Sequence, residues 1–445
     1  MTKIEIRTAL GVGFLYMVRM LGLFMVLPVI ALEAAAYPGS SPFLVGVVLG
    51  IYGLTQGLLQ VPLGYLSDRY GRKPVLLGAL GLLLAGSVVA ALASDAIWLV
   101  IGRALQGCGA VAGALLALMS DCTRVEQRPK AMAVIGGFIG LSFGVSMVLG
   151  PVLFEQGGLS LIFWVTAGLS VLAMLIAGIG LPEPLRHSEN LDAISLPSQI
   201  RGLAADPAMG RVMVSIFLLH GLLVMVFAEF PSRLFGAGIE VPDHAWYYFF
   251  ILLGSLVLMY PLMRLSTRPG MDVRLLLVSI VMLGAGVAAI ASGGGLPTLV
   301  AGLLVFFIAF NLLEVLLPAL AAKVAPAGGR GTAMGLYSTA QFLGIFAGGL
   351  VSGVLLSLQE AAYNLVVGAG ICVLWFVYVS CMKTPADVTS RVFHFGGAAP
   401  PNEVHEQLLS VQGVIDVVVI EKESVAYLKV DRQTFCDDNL PVFNH

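Results

Sequence analysis

The chain has 445 residues, 58% of them hydrophobic and 11% charged, with a mean hydropathy of +0.95. Soluble domains carry about 25% charged residues, so this composition excludes an ordinary soluble enzyme, although two or three soluble domains would fit the length. The 24 basic and 26 acidic residues leave a net charge of −2, without the basic footprint of a nucleic-acid binder.

A membrane crossing needs roughly 20 apolar residues, and such stretches run from about Val12 to Met382. They predict twelve spans, at 12–32, 44–64, 75–94, 97–120, 131–153, 161–181, 212–232, 246–263, 274–292, 297–322, 333–356 and 361–382. Lipid offers no partner to a bare backbone, so the spans must be helical, and the short alternating segments of a β-barrel are missing. With the amino terminus placed inside, 21 of the 24 lysines and arginines fall on the cytoplasmic side. That asymmetry predicts that both termini are cytoplasmic.

Span one follows Lys3 and Arg7 and precedes Ala34-Ala35-Ala36, the order of a signal peptide. Its apolar run is longer than a signal core of about 7–15 residues and holds Arg19, so it reads as a retained helix. Arg19 has two readings: a buried cavity cation, or a side chain that snorkels to the cytoplasm. On span two, Tyr52, Gln56 and Gln60 are spaced by four and share a face. They suit contact with an amphiphilic ligand, or hydrogen bonds between helices.

Gly64-Tyr65-Leu66-Ser67-Asp68-Arg69-Tyr70-Gly71-Arg72-Lys73 follows. Asp68 stands just past the carboxyl end of span two, whose partial negative charge disfavours an acid. It needs a positive partner: Arg69, Arg72, or the free N–H groups that open span eleven at Gly331-Thr332. Arg72 is expected to pair with Asp121 at the inner end of span four. Gly64 and Gly71 permit close approach and an unusual backbone. The bland reading is a charged loop that only orients the protein.

This decapeptide resembles the signature of the major facilitator superfamily, Gly-x-Leu-x-Asp-Arg-x-Gly-Arg-Arg/Lys, at every defining position. Arg103-Ala104-Leu105-Gln106-Gly107 on span four is similar to the family's Arg-x-x-Gln-Gly motif. Gly150-Pro151 matches its antiporter motif in part, with Ser146 and Phe154-Glu155 departing from it. The resemblance continues through Arg19–Pro28, Ile51–Gln56, Phe310–Glu314 and Ala426–Asp431. It implies an all-α membrane protein of two six-helix halves and a loop that latches the halves on the inner side. It also implies the bacterial drug-efflux branch that carries a ferredoxin-like cytoplasmic domain. For that branch the expectation is proton-coupled export across the inner membrane.

The chain divides accordingly into a half at 1–181, a Pro-rich linker at 182–211, a half at 212–385 and a tail domain at 388–445. Ala131-Met132 and Ala333-Met334 open spans five and eleven alike, a faint internal repeat. Spans one, four, seven and ten line the cavity in this superfamily, so the resemblance brings together Arg19, Arg103, Gln106, His220, Asn311 and Glu314. An ionisable group inside a span is a functional hypothesis by default. Burial and a nearby arginine push a carboxylate's protonation in opposite senses, which suits Glu314 to proton coupling; its bland reading is a static tie between helices. Asn311 precedes Glu314 by three and shares its face. His220 also reads as a packing residue, and Glu229 as exposed at the outer surface. On span eleven, Tyr337 and Gln341 align.

In the tail, Ser390–Phe395, a helix from Pro400 to Gly413, Asp416–Glu421 and Ser424–Val430 predict β-α-β-β, with a second helix in the last fourteen residues. Leu408–Val418 resembles a heavy-metal-associated domain, but the loop Gly396–Pro401 has no cysteine, and His394 and His405 alone make no site. A tail ligand or self-association remains open. No phosphate-binding loop is present, since Gly328–Thr332 lacks the lysine. The five cysteines predict no structural disulfide, and neither metal nor cofactor is expected. The expectation is a secondary transporter, not an enzyme, that exchanges protons for small amphiphilic molecules across the lipid bilayer. The alternatives are a proton-linked importer of a nutrient or organic anion, and a membrane sensor that signals through its tail.

Overall fold

A computed structural model describes residues 1–445 except 110–111, 125–126, 183–201, 204, 267, 269, 327–328, 359–361, 383–387, 396–399, 421–424, 432–433, 437–439 and 442–445. Most of the linker, the Gly396–Ala399 loop and the Glu421–Glu423 turn therefore lie outside the described residues.

The apolar runs form long helices. Span one is Lys3–Phe24 continued by Leu27–Glu33; spans two and three are Pro42–Tyr70 and Arg72–Ala91; span four is Ala96–Cys108 and Ala112–Asp121. Spans seven to twelve are Pro207–Gly236, His244–Ser266, Met271–Ala291, Leu296–Val324, Arg330–Ser357 and Ala362–Ser380. Span seven starts inside the expected linker because Asp206 caps it, accepting from the N–H groups of Ala208 and Met209.

Among the described residues eleven helices are long and apolar enough to cross a membrane, and one of them, Lys130–Gly180, has 51 residues. At about 1.5 Å per residue it exceeds twice a hydrocarbon core of about 30 Å. It turns back at Gly157-Gly158, where Gly158 has φ +64, a conformation in which a side chain would be strained. Spans five and six thus make twelve crossings in all, as expected.

The tail forms β1 (Val388–His394), a helix (Pro401–Leu409), β2 (Val414–Ile420) and β3 (Val425–Asp431). The strands lie antiparallel in the order β1-β3-β2, the expected β-α-β-β pattern with the third strand central. Val404, Leu408, Val417, Ala426, Leu428 and Val430 form its own small core. Of the last fourteen residues, where a second helix was expected, Thr434–Cys436, Leu440 and Pro441 are not helical, and the others lie outside the described residues. Lys429 on β3 donates to the carbonyls of Ala325 (2.9 Å) and Val324 (3.4 Å), the last of span ten. A cation suits that end of a helix. Burial pushes the Lys429 pKa below the usual lysine range, against the upward pull of Asp416 and Asp206.

The halves meet along spans two and eleven. A methyl group at Gly46 would stand 2.3 Å from the Gly349 carbonyl oxygen, at Gly50 2.8 Å from that of Phe346, and at Gly53 2.4 Å from that of Phe342. Backbones this close leave room only for glycine. Gly64 lies seven residues beyond Gly57 on the same stripe, yet a methyl group there would meet nothing within 4 Å, and the same holds for Gly335 on span eleven. The halves therefore part toward the side that carries the Gly64–Lys73 loop. Close approach at Gly64, expected from sequence, is not seen in this state.

Candidate functional site

The loop motif is built inside the amino-terminal half. Gly71 takes φ +95, which lets span two end at Tyr70 and span three begin at Arg72. This fold-back turns Arg72 into the bundle, where it is 8% exposed. Its Nη1 donates to Ser67 Oγ (2.8 Å) and pairs with Asp68, while Nε donates to Asp121 Oδ2 (3.0 Å). The pairing of Arg72 with Asp121 is the one read from sequence. Of the partners expected for Asp68, Arg72 holds it here. Arg69 stands exposed with its guanidinium 5.5 Å from the Tyr70 ring centre. A second anchor beside the loop went unnoticed in sequence: Glu5 accepts from Arg124 Nε (2.9 Å) and from its backbone N–H (3.2 Å). Glu5 also closes a capping box with Thr2, a spacing that could have flagged it.

The membrane centre holds two polar groups, one in each half. In the amino-terminal half, Arg103 is 2% exposed. It donates to Gln106 Oε1 (2.9 Å) and the Gly22 carbonyl (3.4 Å), with its guanidinium 5.0 Å from the Tyr52 ring centre. Gln106 in turn donates to Ser87 on span three at 2.9 Å, so it braces Arg103 from behind. Arg19 does not snorkel. It is 1% exposed and lies 5.3 Å from the ring centre of Phe342 on span eleven, across the seam. Its Nε and Nη1 make no hydrogen bond. Gln56 is fully buried with neither amide atom bonded, and Gln60 Oε1 is also without a partner.

In the carboxy-terminal half, Glu314 Oε1 lies 3.7 Å from His220 Nε2, and the Glu314 side chain is 34% exposed, so it faces open space. His220 Nε2 lies 2.8 Å from Gln341 Nε2, which links spans ten, seven and eleven. Tyr337 is buried on span eleven, one turn before Gln341. Asn311 departs from expectation: its amide donates to Ser255 on span eight at 3.0 Å, tying helices together rather than joining Glu314. Glu229, expected to be exposed, is 4% exposed and accepts from Arg233 Nη2 at 2.9 Å.

Aromatic rings bridge the halves beside this centre. Phe143 on span five stacks on Phe310 with centroids 6.1 Å apart and meets Phe307 edge-on at 5.7 Å. Phe143 and Phe342 were missed in sequence, and Phe310 stood out only within the family resemblance, because one phenylalanine in an apolar helix looks like any other. Chemically, the arrangement offers a partly exposed carboxyl group beside a titratable ring. In the amino-terminal half, Arg19 and Arg103 are cations whose partners, among the described residues, are neutral.

Comparison with known proteins supplies the context. The family model for the Major Facilitator Superfamily matches residues 12–349. The chain is 38% identical over 438 residues to the inner membrane transport protein YajR of Escherichia coli (strain K12), covering 97% of this chain and 95% of that protein. It is 28% identical to the multidrug resistance protein MdtH of Aeromonas salmonicida (strain A449), over 74% of this chain and 82% of that protein. Among solved structures, a mutant form of the nucleoside transporter NupG superposes with a TM-score of 0.68 at 16% identity, covering 84% of this chain and all of that one. At that identity the likeness speaks for the fold alone.

Proposed function

The chain belongs to the major facilitator superfamily and is a membrane transporter, not an enzyme; from that premise we propose that it exports small amphiphilic compounds in exchange for protons. The proposed location is the bacterial inner membrane, with both termini and the basic loop in the cytoplasm. Transport proceeds by alternating access, with the two halves rocking about the central polar groups. The state described here is then the one open to the cytoplasm. On closure, Asp68 leaves Arg72 and moves to the amino end of span eleven at Gly331-Thr332, where the helix dipole favours an acid.

The observation that carries this reading is Glu314. Its Oε1 makes no hydrogen bond, and its nearest basic partner is a histidine rather than a permanent cation. A static tie between helices would pair the carboxylate fully. One that faces open space beside a titratable ring can take and give up a proton as the halves move. The likeness to YajR, named a transport protein, supports transport, and the likeness to MdtH, named a multidrug resistance protein, supports export.

The test uses everted vesicles that hold a pH gradient, challenged with cationic, neutral and anionic amphiphiles. Compound-specific collapse of the gradient is expected in wild type and absent in Glu314→Gln. Equal collapse in both would move the proton site elsewhere. The direction of compound flux in the same vesicles separates export from import, and silence toward every compound would favour a sensor.

A further inference from the structure

Arg19 and Arg103 are both at least 98% buried, and every partner they meet among the described residues is neutral: a carbonyl, an amide oxygen and two aromatic rings. Three of their guanidinium nitrogens, Arg19 Nε and Nη1 and Arg103 Nε, make no hydrogen bond. A charge inside a membrane protein without a counter-charge is unfavourable and marks a place where one is to arrive. Among the described residues the intramembrane acids do not fill it: Glu229 is held by Arg233, and Glu314 faces His220 within the other half. The two cations flank one turn of span one, since Arg103 reaches the carbonyl of Gly22, three residues after Arg19. Buried Gln56 adds an unused amide on span two, one turn from the Tyr52 that stacks on Arg103.

A narrow apolar void of about 10 Å³, room for about one water molecule in this state, adjoins Arg103. Arg103 stands in its wall with Leu23, Leu27 and Leu49 from one half and Leu223 and Ile345 from the other. Leu23 is one helical turn from Arg19, and Ile345 is one turn from Phe342.

We propose that the transported compound is an amphiphilic organic acid, with its anionic group held between Arg19 and Arg103 and its apolar body beside the leucines that line this void. Guanidinium groups match carboxylates in shape and shed water more readily than ammonium groups. A neutral or cationic amphiphile would leave both charges uncompensated. The site also has a route to the proton: Phe342, which covers Arg19, follows Gln341, the residue bonded to His220 beside Glu314. An anion that takes the place of Phe342 on Arg19 shifts the turn of span eleven that holds the proton site. The inference rests on reading this centre as the transport site.

The experiment is calorimetric binding of naphthalene-2-carboxylate and naphthalene-2-carboxamide to the purified full-length protein in detergent. The acid is expected to bind saturably and the isosteric amide about tenfold more weakly or worse. Arg19→Gln should cost the acid about tenfold and leave the amide unchanged, while Arg19→Lys restores part of the loss. Equal binding of the pair, no binding of the acid, or an unchanged Arg19→Gln overturns the proposal. So does a parallel loss for both compounds, which would make Arg19 a structural counter-charge for Glu314. If the acid fails to bind while other compounds still collapse the gradient through Glu314, the anion falls and proton exchange stands. Arg19-dependent binding with no gradient response keeps the anion site and removes proton exchange.

Discussion

Arg72 and Asp68 share one bond but differ in what depends on it. Arg72 is buried and holds Ser67, Asp68 and Asp121 together. Arg72→Ala takes the guanidinium away from Asp121, whose side chain is 3% exposed, and breaking such a buried pair costs about 3–5 kcal/mol. The melting temperature of the purified protein should fall sharply. Asp68 is 30% exposed at its side chain, so Asp68→Asn should melt close to wild type, for a half-exposed pair is worth roughly 0–1 kcal/mol. Its transport should nevertheless drop, because the closed state loses the negative charge that the amino end of span eleven attracts. Normal transport by Asp68→Asn would remove the latch. The motif's residue types were legible in sequence, and so was the pairing of Arg72 with Asp121. Which partner holds Asp68 was not, since both candidates are chemically sound and the choice depends on how far the halves have parted.

Among elements, spans two and eleven set the conformational state. Their glycines are equivalent in sequence but not in surroundings. Gly53→Ala would put a methyl group 2.4 Å from the Phe342 carbonyl oxygen. Backbone cannot yield as a side chain does, so overpacking of about 1–3 kcal/mol is expected as a lower melting temperature. Gly64→Ala meets nothing here, so melting should be unchanged. If the stripe closes on the other half during the cycle, the same substitution slows transport. Unchanged turnover in Gly64→Ala would show that the halves do not zip together at that turn. Asn311 carries a similar lesson: three residues from Glu314, it spends its amide on Ser255 of span eight. Spacing along a helix defines a face only to within a neighbouring turn, and the packing of a third helix decides which residue of that face reaches the cavity.

At the scale of the molecule, the tail is tied to the transport body through Lys429 at the end of span ten, the helix that carries Glu314. Lys429→Ala removes the donor to two terminal carbonyls. Faster release of the tail by limited proteolysis is expected, with the transmembrane body intact. An unchanged release rate would mean that the docking rests on other contacts. The two halves, by contrast, meet through close backbones, phenylalanine rings and the stacking of Arg19 on Phe342. Such contacts are broad but carry little direction, which suits surfaces that must slide and reseal.

Sequence alone determined the twelve spans, the side on which the basic residues gather and the β-α-β-β tail. It did so because these follow from local quantities: the length of an apolar run, the sign of a loop and the period of a short strand. The loop motif was equally legible, since it lies within ten consecutive residues. Only the tertiary structure decided that Arg19 is buried against Phe342, that Glu229 is held by Arg233, and that Glu314 meets His220 rather than an arginine. Those choices depend on the rotation of each helix and on how far one half stands from the other. An ionisable residue in a span announces its cost in the sequence, but the partner that offsets it lies on another helix.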